Sequence, residues 1–327
     1  MFVDVLRRKR CESLLQKGYA LIRDGEFDAA LEVAGQLEKH RHTGGFEIAA
    51  LAHAGKGELE TAVAVLRRGV TRAPDVWLNW QLLGNYLSDL ERYDDAEAAY
   101  QRALACPGCS HDSVRLNLAV LASRRDRPEA ALVLLDSVRD PVLVEPAREI
   151  RVSTLRALGR LDEALSLAEA TLADGPPGGE DEAARWERVA ATAARIRLEL
   201  NQDPADVRRS VVGCLSAAPA STALLRVLRE LAPQRSPAAR RFEILMHGAI
   251  PLRSPKRGEF TGFFTTYHVA AETSGDALEM IRKHEDLLEP EDPANLSIDS
   301  AKDLGPAADE ALGVMWRSGR AYYERED

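Results

Sequence analysis

Along the first two thirds of the chain, apolar residues recur three and four positions apart in short blocks, and each block ends at a charged or glycine-bearing turn. The clearest case is residues 77–109, WLNWQLLGNYLSDLERYDDAEAAYQRALACPGC, where two blocks flank Glu91-Arg92-Tyr93-Asp94. Each block runs about a dozen residues, roughly three helical turns. Trp80, Leu83 and Tyr100 are large, whereas Gly84 and Ala96 are small. That mixture predicts a helical hairpin whose arms approach closely, with the large side chains filling the seam. One hairpin cannot cover both of its apolar sides, so the pattern also predicts neighbours stacked against it.

The neighbours recur at a nearly constant period. Aligned on the small residue that opens each second helix, the chain gives Ala30, Ala62, Ala96, Ala130 and Ala164, at steps of 32, 34, 34 and 34 residues. In four of the five an acidic residue closely precedes the alanine, as a helix N-terminus favours. The run Trp80-x2-Leu83-Gly84, then Ala96-x3-Tyr100-x2-Ala103, then Pro107 resembles the tetratricopeptide repeat, whose signature is W-x2-L-G-x2-Y…A-x3-F…P. Leu87 stands in the tyrosine slot and Pro107 comes about one residue early. Gly18 fills the glycine slot of the first repeat, Ala50 that of the second, and Leu118-Ala119 the Leu-Gly slot of the fourth. The resemblance covers residues 11–219 and implies a mainly α fold, a right-handed α-solenoid of helical hairpins.

After the fifth repeat, residues 174–182 form an acidic insertion rich in glycine and proline. Residues 182–201 read as a helix, and Val207, Val211 and Leu215 mark a second, making a degenerate sixth hairpin. A helix over 221–231 is expected to cap the stack, closing a domain that spans 1–234. The pattern then changes. Over 235–327 it predicts a small α+β domain: strands at 240–252 and 263–271 around a loop at 253–262, a helix at 275–288, and an acidic loop at 289–295. A third strand at 296–304, a short helix at 306–316 and a final strand at 320–323 complete it.

Composition narrows the function classes. Formal net charge is −9, with 45% hydrophobic and 29% charged residues, which argues against a general grip on nucleic acid. The basic run Arg7-Arg8-Lys9-Arg10 reads as the solvated side of a first helix whose apolar side carries Phe2, Val5, Leu6 and Leu14. No apolar run has the length of a membrane span, and Met1 to Leu6 lacks a signal-peptide core, so a cytoplasmic protein without membrane contact is expected. Four cysteines do not make a disulfide scaffold in 327 residues.

Chemistry-bearing candidates are sparse. Cys106-Pro107-Gly108-Cys109 has the spacing of a zinc or thiol–disulfide pair, with His111 as a third ligand. It falls at the end of a repeat, where Pro107 and Gly108 already serve as terminator and turn, and no second cysteine pair follows. His40 and His42 flank a loop, and His53 lies on a first helix. His268, in a strand beside Thr266, faces either the sheet's helix or solvent. It can be grouped with Asp299 and Thr265 as a catalytic triple, or with Thr266 and Asp299 as a small-molecule pocket, but strands supply such groupings by chance. Phosphate-loop and nucleophile-elbow motifs are absent from the sequence.

The expected function is therefore non-catalytic and needs no cofactor. First helices of stacked hairpins line a groove that takes a peptide or partner helix. Leu78, Gln81, Asn85 and Ser88 in repeat three, Arg115 and Asn117 in repeat four, and Arg148 and Arg151 in repeat five fall on that side. The resemblance implies a protein or peptide partner there, with the C-terminal domain as a second docking or dimerisation module. Some members of this family hold a peptide's carboxy-terminal carboxylate with two asparagines and several basic residues. Asn85 and Asn117 are similar to those asparagines, and Gln81 stands where a lysine is expected. The alternative is a regulatory protein whose C-terminal domain binds a small molecule or carries an activity.

Overall fold

A computed structural model describes residues 2–231, 234–249, 260–288, 295–307 and 310–324. The expected loops at 253–262 and 289–295, and the strand end at 250–252, fall largely outside these residues, as do the side chains of Phe2, Val5 and Leu6. The chain divides into two compact units, Met1–Ile150 and Arg151–Asp327.

The first unit contains four helical hairpins: α1 (Phe2–Arg23) with α2 (Phe27–Lys39), α3 (Gly44–Gly55) with α4 (Leu59–Arg72), α5 (Trp77–Asp89) with α6 (Tyr93–Leu104), and α7 (His111–Arg124) with α8 (Pro128–Leu135). The start of α9 (Pro141–Ala157) follows. Each hairpin turn has the same construction. Gly25, Gly57, Glu91 and Asp126 take positive φ of 77°, 79°, 58° and 56°. The next residue's N–H then reaches back to a carbonyl of the first helix: Glu26 to Leu21, Glu58 to His53, Arg92 to Leu87 and Arg127 to Ala122, at 2.8–2.9 Å. This left-handed stop satisfies the orphan carbonyls of the first helix and reverses the chain. Five residues after each turn residue sits a fully buried alanine: Ala30, Ala62, Ala96 and Ala131.

The fourth hairpin thus corrects the sequence register by one position. Ala131 is the buried seam residue, while Ala130 is exposed. The segment Pro128-Glu129-Ala130-Ala131 offers two alanines, and the turn at Asp126 decides between them. The third hairpin shows what a small residue permits. A Cβ on Gly84 would lie 2.5 Å from the Tyr100 ring, so only glycine lets that ring close the seam.

In the second unit, Gly159 makes the turn before α10 (Leu161–Leu172), with φ 71°, the Arg160 N–H bonded to the Leu155 carbonyl and Ala164 buried. Asn201, with φ 58°, repeats the stop between α11 (Glu180–Glu199) and α12 (Pro204–Ala217). The Asp203 carboxylate caps α12 by accepting from the Ala205 N–H at 2.9 Å. Helix α13 (Thr222–Leu231) follows.

Among the described residues five antiparallel strands succeed it: β1 (Arg240–Ala249), β2 (Phe260–Ala271), β3 (Asn295–Pro306), β4 (Gly313–Arg317) and β5 (Ala321–Glu324), with α14 (Ser274–Leu288) between β2 and β3. The order is β3-β1-β2-β4, and β5 pairs with the first part of β2. The short helix expected at 306–316 is instead the strand β4, and β2 begins at Phe260, inside the expected loop. Residues 306–312 have a helix-like composition, but Gly313 at φ 131° opens a strand that pairs with Ala270 and Val269 of β2, so sheet pairing overrides local propensity.

Alternation along β1 and β2 sends Phe242, Ile244, Met246, Phe263, Tyr267 and Val269 to one face, where Ala277 and Ile281 of α14 cover them. The same core includes Trp186 of α11, Val211 and Leu215 of α12, and Leu224 and Leu225 of α13. Helices expected to close a separate stack at 234 therefore share one interior with the sheet.

Candidate functional site

The first helices α1, α3, α5 and α7 touch one another in sequence and together line one face of the first unit. Several of their cross-contacts are polar. Tyr19 of α1 donates to Glu47 of α3. Gln81 Nε2 of α5 donates to Ser113 Oγ of α7 at 3.0 Å. Arg124 Nη1 of α7 donates to Ser88 Oγ at 2.9 Å and to Asp89 Oδ1 at 2.7 Å. Burial pushes the Glu47 carboxyl above the ordinary range even though the Tyr19 hydroxyl opposes the shift, and burial likewise drives the Tyr86 hydroxyl up to about 12.

A cavity of about 230 Å³ opens on this face, lined by Asn85, Ser88, Asp89, Tyr100, Asn117, Val120 and Arg124. The seam glycine positions part of it. Because Gly84 lets the Tyr100 ring close in, the Tyr100 hydroxyl donates to Asn85 Oδ1 at 2.8 Å, which orients the amide so that its Nδ2 remains a donor. Asn117 and Arg124 lie seven residues apart on α7 and hence on one side of it. The cavity therefore combines two amides, two hydroxyls and an Arg–Asp pair, a set suited to peptide backbone and to a carboxylate.

Of the residues expected in the groove, Asn85, Ser88 and Asn117 line this one cavity. Gln81 is buried against Ser113, and Leu78 is half-buried nearer the start of α5. Arg115 turns to Asp112, 3.0 Å away, at the start of α7. The Asp112 carboxyl also accepts the Arg139 and Asp140 N–H groups, which hold it below the usual carboxylate range. Arg148 pairs with Glu145 at 2.9 Å, and Arg151 belongs to the second unit. The cation in the cavity is Arg124, which was not among the residues expected in the groove. Its seven-residue spacing from Asn117 was the available signal.

The other candidates do not assemble. Cys106 and Cys109 are free thiols, pushed up by burial, and Cys106 Sγ donates to the Pro74 and Arg102 carbonyls. Among the described residues no three histidine, cysteine or acidic side chains are placed to hold a metal, so Cys106, Cys109 and His111 do not form such a group. Thr265 is buried on the α14 side of β2, bonded to Ser318, whereas His268 lies on the opposite face against Trp316 and Glu243. The catalytic triple is thereby excluded by the strand's own alternation. Among the described residues no helix is long and apolar enough to cross a membrane.

Two family profiles, each described as tetratricopeptide repeat, match residues 82–106 and 113–137. No curated protein sequence matches the chain. A tetratricopeptide repeat protein from Parabacteroides merdae is 17% identical, with a TM-score of 0.51 over 68% of this chain and 84% of that one. The pilF protein of Pseudomonas aeruginosa is 14% identical, with a TM-score of 0.54 over 68% of this chain and 99% of that one. A chain of the APC/C hetero-tetramer Cut9-Hcn1 gives 12% and 0.52 over 65% of this chain and 41% of that one. These likenesses speak to the fold. By its repeat profiles, its turn geometry and its stacked hairpins, the chain contains tetratricopeptide repeats.

Proposed function

We propose that this protein is a non-catalytic scaffold that holds a partner protein through an extended peptide laid across the first helices. The observation that carries the reading is the cavity where Asn85 and Ser88 of α5 meet Asn117 and Arg124 of α7. Side-chain amides can pair with a peptide's main chain whatever its sequence, and the guanidinium adds a contact for a terminal or side-chain carboxylate. The hetero-tetrameric assembly named for the Cut9-Hcn1 relative accords with such a role. In the same reading the outer face of the sheet, where Phe264, Trp316 and Tyr323 stand, is a second docking or dimerisation surface.

The test is selection of peptides from a random library ending in a free carboxylate, followed by titration of the enriched peptides. The double variant Asn85→Ala/Asn117→Ala is expected to weaken binding by about ten-fold or more, since each lost amide forfeits about 1 kcal/mol, with helical circular dichroism unchanged. Arg124→Met is expected to weaken peptides ending in a free carboxylate more than their amidated forms. Equal binding by wild type and double variant would remove the groove assignment.

A further inference from the structure

Between α13, α14 and β4, within the second unit, lies a second cavity of about 230 Å³. Leu225, Leu228 and Met280 give it an apolar wall. Its charged lining is of one sign: Arg208, Arg229 and Lys283 line it, and no acidic side chain does so among the described residues. That is a local inversion in a chain of net charge −9. Glu310 and Glu230 are the acids acting on Arg229, but neither lines the space, and Glu310 is bonded to Arg241.

Two buried polar atoms on this lining lack partners. His284 is only 6% exposed, and its Nε2 has no hydrogen-bond partner. Burial pushes this imidazole down to about 4, so at neutral pH it is uncharged and the nitrogen is simply unsatisfied. Arg229 is half-buried beside Gly313, and its Nη1 is likewise unpartnered. Orphaned donors beside an apolar wall fit a ligand with a compact acceptor at one end and a hydrocarbon body at the other. A cavity of about 150 Å³ takes benzene, so this volume suits a molecule of about nine or ten heavy atoms.

We propose that this cavity binds a small organic anion, its carboxylate or phosphate head on Arg229 and Arg208 and its apolar body against Leu225, Leu228 and Met280. His284, as the Nε2–H tautomer, donates the inner polar contact. The site is separate from the groove, and neither depends on the other.

Calorimetric titration of the full chain with phenylacetate and with phenyl phosphate tests it, using 2-phenylethylamine as a probe of the same shape and opposite charge. At least one anion is expected to bind saturably, the tighter one identifying the head group, and the amine is expected not to bind. The His284 ring resonances should move with the same midpoint. Arg208→Glu, at an exposed position, is expected to weaken binding at least about ten-fold, and Leu228→Trp, which fills the space, to abolish it. No saturable binding of either anion at millimolar concentration overturns the site, as does equal binding of the amine or indifference to Arg208→Glu. Circular dichroism checks the folding of Leu228→Trp, and the exposed Arg208 variant decides the matter if that protein fails to fold.

Discussion

At the scale of single residues, the smallest side chain in the third hairpin controls one of the largest. Alanine is ordinarily favoured over glycine in a helix by about 1 kcal/mol. At position 84 its Cβ would meet the Tyr100 ring at 2.5 Å, and overpacking of that kind costs about 1–3 kcal/mol. Gly84→Ala is therefore expected to destabilise the protein by up to about 2 kcal/mol in urea unfolding, and Tyr100→Leu in the same chain to recover part of that loss. Because Tyr100 holds Asn85 by its hydroxyl, the single variant should also weaken groove binding. His284 makes a different prediction, in pH. Its folded value of about 4 lies below the ordinary 6.5, so the unfolded chain takes up the proton first and stability falls as pH drops from about 6.5 to 4. The full drop is about 3 kcal/mol. Glu285 adds an acid-side loss of its own. Burial opposes its charge, but Arg317, Tyr267 and Arg320 outweigh burial and hold its carboxyl down, so its contribution disappears as pH falls through that lowered value. His284→Gln isolates the first effect: unfolding free energies at pH 7 and pH 4 should differ less in the variant than in the wild type. An equal difference in both would refute a buried neutral imidazole.

At the scale of elements, the hairpin is set by its turn as much as by its alanine. A left-handed residue, the back-bonded N–H after it and a buried alanine five residues on recur from Gly25 to Gly159. This fixes Ala131 as the seam residue of the fourth hairpin, and the register can be tested directly. Ala131→Leu is expected to cost about 1–3 kcal/mol by overpacking, while Ala130→Leu, at an exposed position, should stay within about 0.5 kcal/mol of wild type. The reverse ranking would restore the sequence register. Helices were legible because a period near 34 and small-large alternation survive in the sequence even where the exact slot drifts. The left-handed position was less legible, since Glu91 and Asp126 occupy it alongside Gly25 and Gly57. The strand β4 was hidden for another reason. Residues 306–316 carry helix-forming alanines, and only pairing with β2, more than forty residues upstream, makes the end of that segment a strand. In the groove, Asn85 and Asn117 were legible from their place on first helices. Arg124 was not, because it ends α7 and reads as part of a hinge, and its role depends on reaching Ser88 and Asp89 across the stack.

At the scale of the whole molecule, the chain carries separate interiors. One runs from Cys11 to Leu121 through the hairpins, and another joins α11–α14 to the sheet. Sequence periodicity revealed the first because its contacts are local and repeat. The second is assembled from segments more than a hundred residues apart, such as Trp186 with Val314, so neither its extent nor the cation-lined cavity within it left a local signal. Its centre is ionic. Glu285 accepts from Arg317 at 2.8 Å, from Arg320 at 2.5 Å and from the Tyr267 hydroxyl at 2.5 Å, and the Glu285 and Arg317 side chains are each only 4% exposed. A carboxylate so placed bridges two buried guanidiniums and offsets one of their two charges, and it ties α14 to β2 and β4. Glu285→Gln keeps the shape and removes the charge, leaving the buried Arg317 without its carboxylate at a cost of about 3–5 kcal/mol. Glu145→Gln removes a carboxylate from a half-exposed pair with Arg148 and is expected to cost little by comparison. Hydrogen exchange can localise the loss. After Glu285→Gln, amides of β2 and α14 should exchange faster, whereas those of α5 and α6, in the other compact unit, should keep their wild-type rates. Unchanged protection in β2 would mean that the ion cluster does not hold the sheet together. Equal acceleration in α5 would mean that the two units unfold as one.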